Sequence, residues 1–323
     1  MRNRWHSAVL PLLVFPLGGF LQGTTPQETG SSPQENDGEG RLVSASSTMV
    51  TAWDLPRDPL TDSTLASSPR ALLIRKGFDL FMHTPSAGWR FTANSLSCGN
   101  CHLNGGQRER ALPLVGVARV FPEFNKRAGR VFTLEDRIVG CFMRSENAGG
   151  TRDRGTAAAF PDSASEEILA LAAYITWLAE GFPTDARLPW RGRNKIPADR
   201  CLPMSALDTA RGRALFAENC QTCHGIDGQG VQIGDKKAGP LWGPSSWNDG
   251  AGAARIYTLA GFIRYAMPYL KPGSLTDEES QHIAAFIDSQ VRPAYRFKDQ
   301  DYRTSPLPAD AVYYRKMSGA SKE

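Results

Sequence analysis

From Ser67 a polar stretch gives way to "SSPRALLIRKGFDLFMHT", where Ala71, Leu72, Ile74, Phe78 and Phe81 recur at spacings that line one face of an α-helix. A second helical stretch, "SASEEILALAAYITWLAEG", carries Ser163 and Glu166 in capping-box order. The pattern then repeats. "ARGRALFAENC" answers the first helix, and "TDEESQHIAAFIDSQ" answers the second, with Thr276 and Glu279 as its capping box. The "AAYI" at 172–175 returns as "AAFI" at 284–287, and both halves share Pro-Leu-x-Gly, in "ALPLVGVARVF" and "AGPLWGPSSW". Such a duplication predicts two small helical units in tandem.

The flanks have a different texture. The start, "MRNRWHSAVLPLLVFPLGGFLQG", places Arg2 and Arg4 before an apolar run from Ala8 to Leu21, the layout of a secretory signal, and the run is too short and too rich in Pro and Gly for a membrane span. No cysteine follows it to take a lipid. The expectation is export to the periplasm, with no membrane insertion once the signal is removed. The organisation read from the chain is a signal peptide at 1–23, a Gly/Ser/Pro/Gln-rich disordered spacer at 24–66, a first unit at 67–182, a linker at 183–205, a second unit at 206–293 and a tail at 294–323. With 323 residues and 41% hydrophobic composition the chain can build two cores. Its net charge of +4 is too small a bias to point to nucleic acid as a partner.

Chemistry enters with "CGNCH" at Cys98–His102 and "CQTCH" at Cys220–His224. In Cys-x-x-Cys-His two thiols add to the vinyl groups of a haem, and the adjacent histidine reaches the iron. A zinc ribbon also uses paired cysteines but needs no histidine after each second one. One motif in each half therefore predicts an all-α protein of two tandem cytochrome c domains with two covalent haems c, bound through Cys98, Cys101 and His102 and through Cys220, Cys223 and His224.

Each haem then needs a sixth ligand or an open position, and methionine is a common choice. Met267, followed by Pro268, stands 43 residues after His224; in the first half the comparable position, 39 residues after His102, is Cys141. Met143 and His83 are further candidates for the first iron. Cys141 has a second reading, a disulfide to Cys201, the other unpaired cysteine, in a compartment where disulfides persist; the protein would then be a dihaem electron carrier without a substrate. Between Arg119 and Arg144 six basic residues stand against three acidic ones, and Arg137 and Arg144 flank Cys141 at helical spacings. A positive field favours the thiolate, the form that ligates metal and attacks sulfur.

"PLVGVARVF", "LEDRIVGCFMRS" and "GPLWGPSSWNDGAGAARIYTLAGFIRYAMP" together resemble the dihaem thiosulfate dehydrogenases that form tetrathionate, from about Ile74 to Pro293. The resemblance implies an oxidoreductase whose first haem, ligated by His102 and Cys141, is the site of chemistry, while the second, ligated by His224 and Met267, relays electrons to a small redox protein. It also implies that Arg137, Arg127, Ser145 and Gln107 lie near the substrate. Where some relatives carry a lysine beside the distal methionine, this chain has Ala266. A sulfur-oxidising relative that conjugates thiosulfate to a carrier protein, also pairing haem with cysteine, is a third reading. The spacer, Cys201 and the tail lie outside what the resemblance explains.

Overall fold

Gly77 sits where helix α1 (Pro69–Met82) crosses helix α3 (Glu166–Trp177), and a Cβ there would fall 2.0 Å from the Ala170 carbonyl oxygen. Gly212 repeats the arrangement. It lies on helix α4 (Thr209–Asn219), and its Cβ would fall 2.0 Å from the His282 carbonyl oxygen of helix α6 (Asp277–Asp288). Only a residue without a side chain allows backbones this close. Four residues after each glycine an aromatic ring packs on the closing helix: Phe81 on Tyr174, centroids 5.5 Å apart, and Phe216 on Phe286, also 5.5 Å. The repeated "AA-aromatic-I" of the sequence is thus the face of each closing helix that receives the glycine.

The computed structural model describes residues 42–47, 54–65, 67–152, 155–184, 187–234 and 236–314, all in one compact unit. The signal-like start and most of the expected spacer lie outside the described residues. Two hydrophobic cores follow the repeat. The first gathers Ile74, Phe81, Phe142, Ile168, Leu171 and Trp177, with helix α2 (Leu134–Arg144) packed on α3. The second gathers Phe216, Trp247, Leu259, Ile263, Ile283 and Phe286, with helix α5 (Ile256–Ala266) against α6. The few strands form two short antiparallel hairpins, β1 (Glu123–Asn125) with β2 (Arg130–Phe132), and β3 (Gln232–Ile233) with β4 (Lys236–Lys237). Among the described residues no helix is long and apolar enough to cross a membrane.

Three local expectations are corrected. Leu72 is exposed, because α1 turns Ala71, Ile74, Phe78 and Phe81 inward and its register leaves Leu72 on the solvent side. Ser163 does not cap α3: the helix starts after Ser165, whose hydroxyl turns back to the Asp162 carbonyl, and Ser163 reaches only the Asp162 side chain. The capping box at Thr276 and Glu279 does form. Packing also begins before Ser67, since Leu65 belongs to the first core and Arg57 hydrogen-bonds Gln107 and reaches Glu180.

Candidate active site

The first haem motif opens on a short 3-10 turn, Cys98–Asn100, the second directly follows α4, and a loop folds back on each. In the first half the Cys98 amide donates to the Thr84 hydroxyl at 3.1 Å, and Asn100 and Ser97 cap the turn reciprocally. In the second, α4 delivers Cys220, whose amide donates to the Phe216 carbonyl. His102 Nδ1 lies 2.6 Å from the Leu112 carbonyl oxygen, and His224 Nδ1 lies 3.2 Å from that of Gly239. Both acceptors immediately precede the proline of Pro-Leu-x-Gly. The leucine of the same motif donates back to the loop, Leu114 to Gly106 and Leu241 to Gly228. With Nδ1 as the donor, Nε2 keeps its lone pair for a metal. Burial holds both imidazoles below the usual histidine pKa, and for His102 the charge of Arg137 adds to this. Neutral imidazole is the form that ligates.

A cleft of about 620 Å³ opens at the first motif, within the size range of cofactor sites. Cys98, Cys101, His102 and Cys141 line it, with apolar walls from Phe81, Leu114, Ile138, Leu171 and Trp247. Two buried polar atoms of its lining, Glu146 Oε2 and Trp247 Nε1, have no partner among the described residues. Burial pushes the Cys101 thiol up to about 12 and the Glu146 carboxyl up to about 8, which favours the neutral form of both groups near neutral pH. Among the described residues no cluster of His, Cys, Asp or Glu is arranged to hold a metal ion by itself. An apolar slot, two unpaired thiols and a neutral imidazole with a free nitrogen fit a covalently attached haem and do not fit a zinc ribbon.

Cys141 reaches this cleft from α2, which starts at Thr133 with a capping box to Asp136. Arg137, one turn earlier, and Ser145, at the helix end, line the same cleft. Arg127 and Gln107 do not. Arg127 donates to the Gly250 carbonyl and, at 3.1 Å, to the Tyr302 hydroxyl, so the tail holds it; Gln107 is fully buried and exchanges two hydrogen bonds with the Arg57 backbone. Arg144 turns away from Cys141 to Asp301. His83 is exposed and pairs with Asp79, and Met143 packs on the first core. Cys201 packs on the second core, away from the lining of the Cys141 cleft, and every cysteine is unpaired. Met267 follows the last turn of α5 and joins Phe262 and Tyr269 in a small cluster around Leu103, Ala111 and Ala266.

The second half also builds the first cleft. Asn248 of "SWNDGAG" donates its amide to the Arg144 carbonyl and its side chain to that of Met143, capping the end of α2, and Asn147 and Asn94 donate to the Ser246 carbonyl. Sequence reasoning missed Trp247, Glu146, Trp190 and Arg191 as cleft residues. For Glu146 a signal existed in its place next to Ser145; the others arrive from distant segments.

Residues 89–184 match the model of the SoxA/TsdA cytochrome c domain, and residues 207–287 that of cytochrome c oxidase, cbb3-type, subunit III. The chain is 36% identical over 236 residues to the thiosulfate dehydrogenase of Stutzerimonas stutzeri, covering 73% of this chain and 72% of that one. It is also 36% identical over 243 residues to the thiosulfate dehydrogenase of Allochromatium vinosum, covering 73% and 83%. The solved thiosulfate dehydrogenase (TsdBA) of Marichromatium purpuratum, in its as-isolated form, is similar at a TM-score of 0.66 and 32% identity, over 81% of this chain and 53% of that one. The present chain thus spans about half the length of that structure. Two cytochrome c domains, each with its own attachment motif, carry two covalent c-type haems.

Proposed function

We propose, since this chain belongs to the thiosulfate dehydrogenase family, that it joins two thiosulfate anions into tetrathionate with Cys141 as the covalent carrier. It is an oxidoreductase acting on sulfur compounds. The observation that carries the reading is an unpaired thiol, Cys141, in the same cleft as the first attachment motif and on the same helix as Arg137.

The difficulty of the reaction is electrostatic. Two dianions about 4 Å apart repel by roughly 4 kcal/mol even in water, and by more where water is excluded. Arg137 and Lys126 both line the cleft and form no ion pair with a described residue, so their charge is available to the substrate. Each haem, when bound, supplies a one-electron acceptor, and the pair takes the two electrons released when a sulfur–sulfur bond forms. The Cys141 thiolate bonds to the sulfane sulfur of one thiosulfate, leaving a Cys-S-S-SO3 group of single negative charge. The sulfane sulfur of the second thiosulfate then attacks that bound sulfane sulfur. The bond to Cys141 breaks, the thiolate returns and tetrathionate leaves as a dianion. No proton moves in the exchange, so it needs no general acid or base. The reverse sequence reduces tetrathionate. Parking one substrate as a group of lower charge reduces the repulsion met by the second.

His102 and Cys141 would hold the first iron and His224 and Met267 the second. Ser145 borders the site, while Arg127 and Gln107 support it from outside the cleft, through the tail and through the Arg57 segment. Electrons leave to a small redox protein in the periplasm. The test is a peptide mass map after incubation with tetrathionate: a thiosulfate-derived mass on the Cys141 peptide and on no other is expected. Cys141→Met should give a folded, six-coordinate protein with no turnover, because a thioether ligates iron but forms no reversible sulfur adduct. A Cys141–Cys201 disulfide peptide, or full turnover by Cys141→Met, would overturn the reading.

A further inference from the structure

Arg191 lies in the segment between the two haem-motif halves, whose composition reads as a linker, yet Leu188, Trp190, Arg191 and Asn194 of this segment line the cleft that holds Cys141. One terminal nitrogen of Arg191 donates to both carboxylate oxygens of Glu123, at 2.5 and 2.6 Å. Glu123 stands on the β1–β2 hairpin and lines the same cleft. A guanidinium carries five N–H donors in a planar fork. Glu123 engages one nitrogen, and the other two make no hydrogen bond to a described residue. Both side chains are about half exposed, at 50% and 40%. A pair of this kind contributes little to stability, so it is easily remade around another anion.

Arg137 and Arg191 differ in what they act on. Arg137 is close enough to the first attachment motif for its charge to bear on His102. Arg191 faces the hairpin. The product of the proposed reaction is a linear dianion with one sulfonate at each end, so a site for it needs two cations set apart. Among the charged side chains of its lining, Lys126, Arg137 and Arg191 stand against Glu123, so cations outnumber anions on this wall.

We propose that Arg191 is the outer anion-binding residue of this cleft, taking the sulfonate of the incoming second thiosulfate, or the far end of tetrathionate, while Arg137 takes the sulfonate nearest Cys141. The assignment rests on the function proposed above. Glu123 is then a competitor that keeps the guanidinium in place until a dianion displaces it. A single-ended anion such as sulfite gains nothing from Arg191.

The probe is dithionate, an inert dianion with a sulfonate at each end and no sulfane sulfur, titrated calorimetrically into the oxidised holoprotein at low ionic strength. Arg191→Ala should weaken binding about tenfold, the worth of one charged hydrogen bond, and Arg191→Lys should weaken it less. Glu123→Gln should tighten binding, because it frees the guanidinium and removes an opposing charge. The KM for thiosulfate should move in the same directions, and more than kcat does. A merely structural strut predicts another result: both substitutions break the same ion pair, so both would shift affinity the same way or not at all. That outcome, or a wild type that does not bind dithionate, overturns the proposal. If the opposite shifts appear in a protein that does not turn over thiosulfate, the anion site stands and the proposed function falls; if turnover is intact without them, the reverse holds.

Discussion

Arg144 and Asp301, 157 residues apart in sequence, form a two-bonded fork at 2.7 and 2.8 Å, with Asp301 almost wholly buried and Arg144 stacked 4.1 Å above the Tyr295 ring. Burial works against the charge of Arg144, but the hydrogen bonds and attraction of Asp301 outweigh it and hold the guanidinium above its usual pKa. The tail that the family resemblance left unexplained is therefore fastened to the helix that carries Cys141. Tyr314 donates to Asp301, and Tyr302 donates its amide to the Arg127 carbonyl.

Removing one partner of such a pair leaves the other charged and buried. Asp301→Ala should cost about 3 kcal/mol or more in denaturant unfolding of the holoprotein. The double variant Arg144→Met with Asp301→Leu should recover most of that loss, since an apolar pair of similar size has no charge to desolvate. A single variant as stable as wild type would mean that the fork does not hold the tail.

The crossings at Gly77 and Gly212 give a paired prediction. Gly77→Ala drives a methyl into the Ala170 carbonyl, and Gly212→Ala drives one into that of His282. Neither obstacle is a flexible side chain that can swing away. Each substitution should destabilise by about 3 kcal/mol, at the upper end of overpacking effects. Haem content per chain, measured after expression, should fall with Gly77→Ala and Gly212→Ala alike.

These glycines were legible as a repeat before they were legible as a crossing. "RKGF" and "ARGR" align because the same close contact is built twice, and the attachment motifs, the prolines after them and the closing aromatics align for the same reason. That Arg137 would stand beside Cys141 was readable from their spacing, one turn apart on α2, and Cys141 itself stood out by its place in the repeat, opposite Met267. What depended on the chain returning from far away was not readable. Nothing in "LPWRGRN" says that Trp190 and Arg191 would border a cleft, and nothing in "KDQDYRT" says that Asp301 and Tyr302 would claim Arg144 and Arg127. Leu72 and Ser163 failed for a nearer reason. A one-position difference in register separates the inner face of α1 from the outer, and Ser165 competed with Ser163 for the start of α3.

Met267 is the proposed distal ligand of the second haem, at the end of α5. Met267→Gly should abolish the weak near-infrared sulfur-to-iron band of the oxidised protein and lower the potential of that haem, because thioether ligation favours the reduced iron. A spectrum unaltered by the substitution would remove Met267 from the coordination sphere.

Glu146 allows a prediction in which the sign is fixed by burial. Its carboxyl sits in the wall of the first cleft with Oε2 unpartnered, and burial alone raises it from the usual 4.5 to about 8. In the unfolded chain the group ionises near 4.5, while in the folded protein it stays protonated to about 8. Between these values the folded state holds one proton more than the unfolded state, so stability falls as pH rises, by about 1.4 kcal/mol per unit. The contribution is fully present below the unfolded value and lost as pH climbs through the folded one. Glu146→Gln keeps the shape without the titration. Denaturant unfolding measured from pH 5 to pH 8 should therefore decline less steeply for Glu146→Gln than for wild type, and the two curves should diverge most at the alkaline end. Parallel curves across that range would place the carboxylate in contact with water or with a cation, and the cleft would then carry one more negative charge than the proposed exchange of two thiosulfates can accommodate.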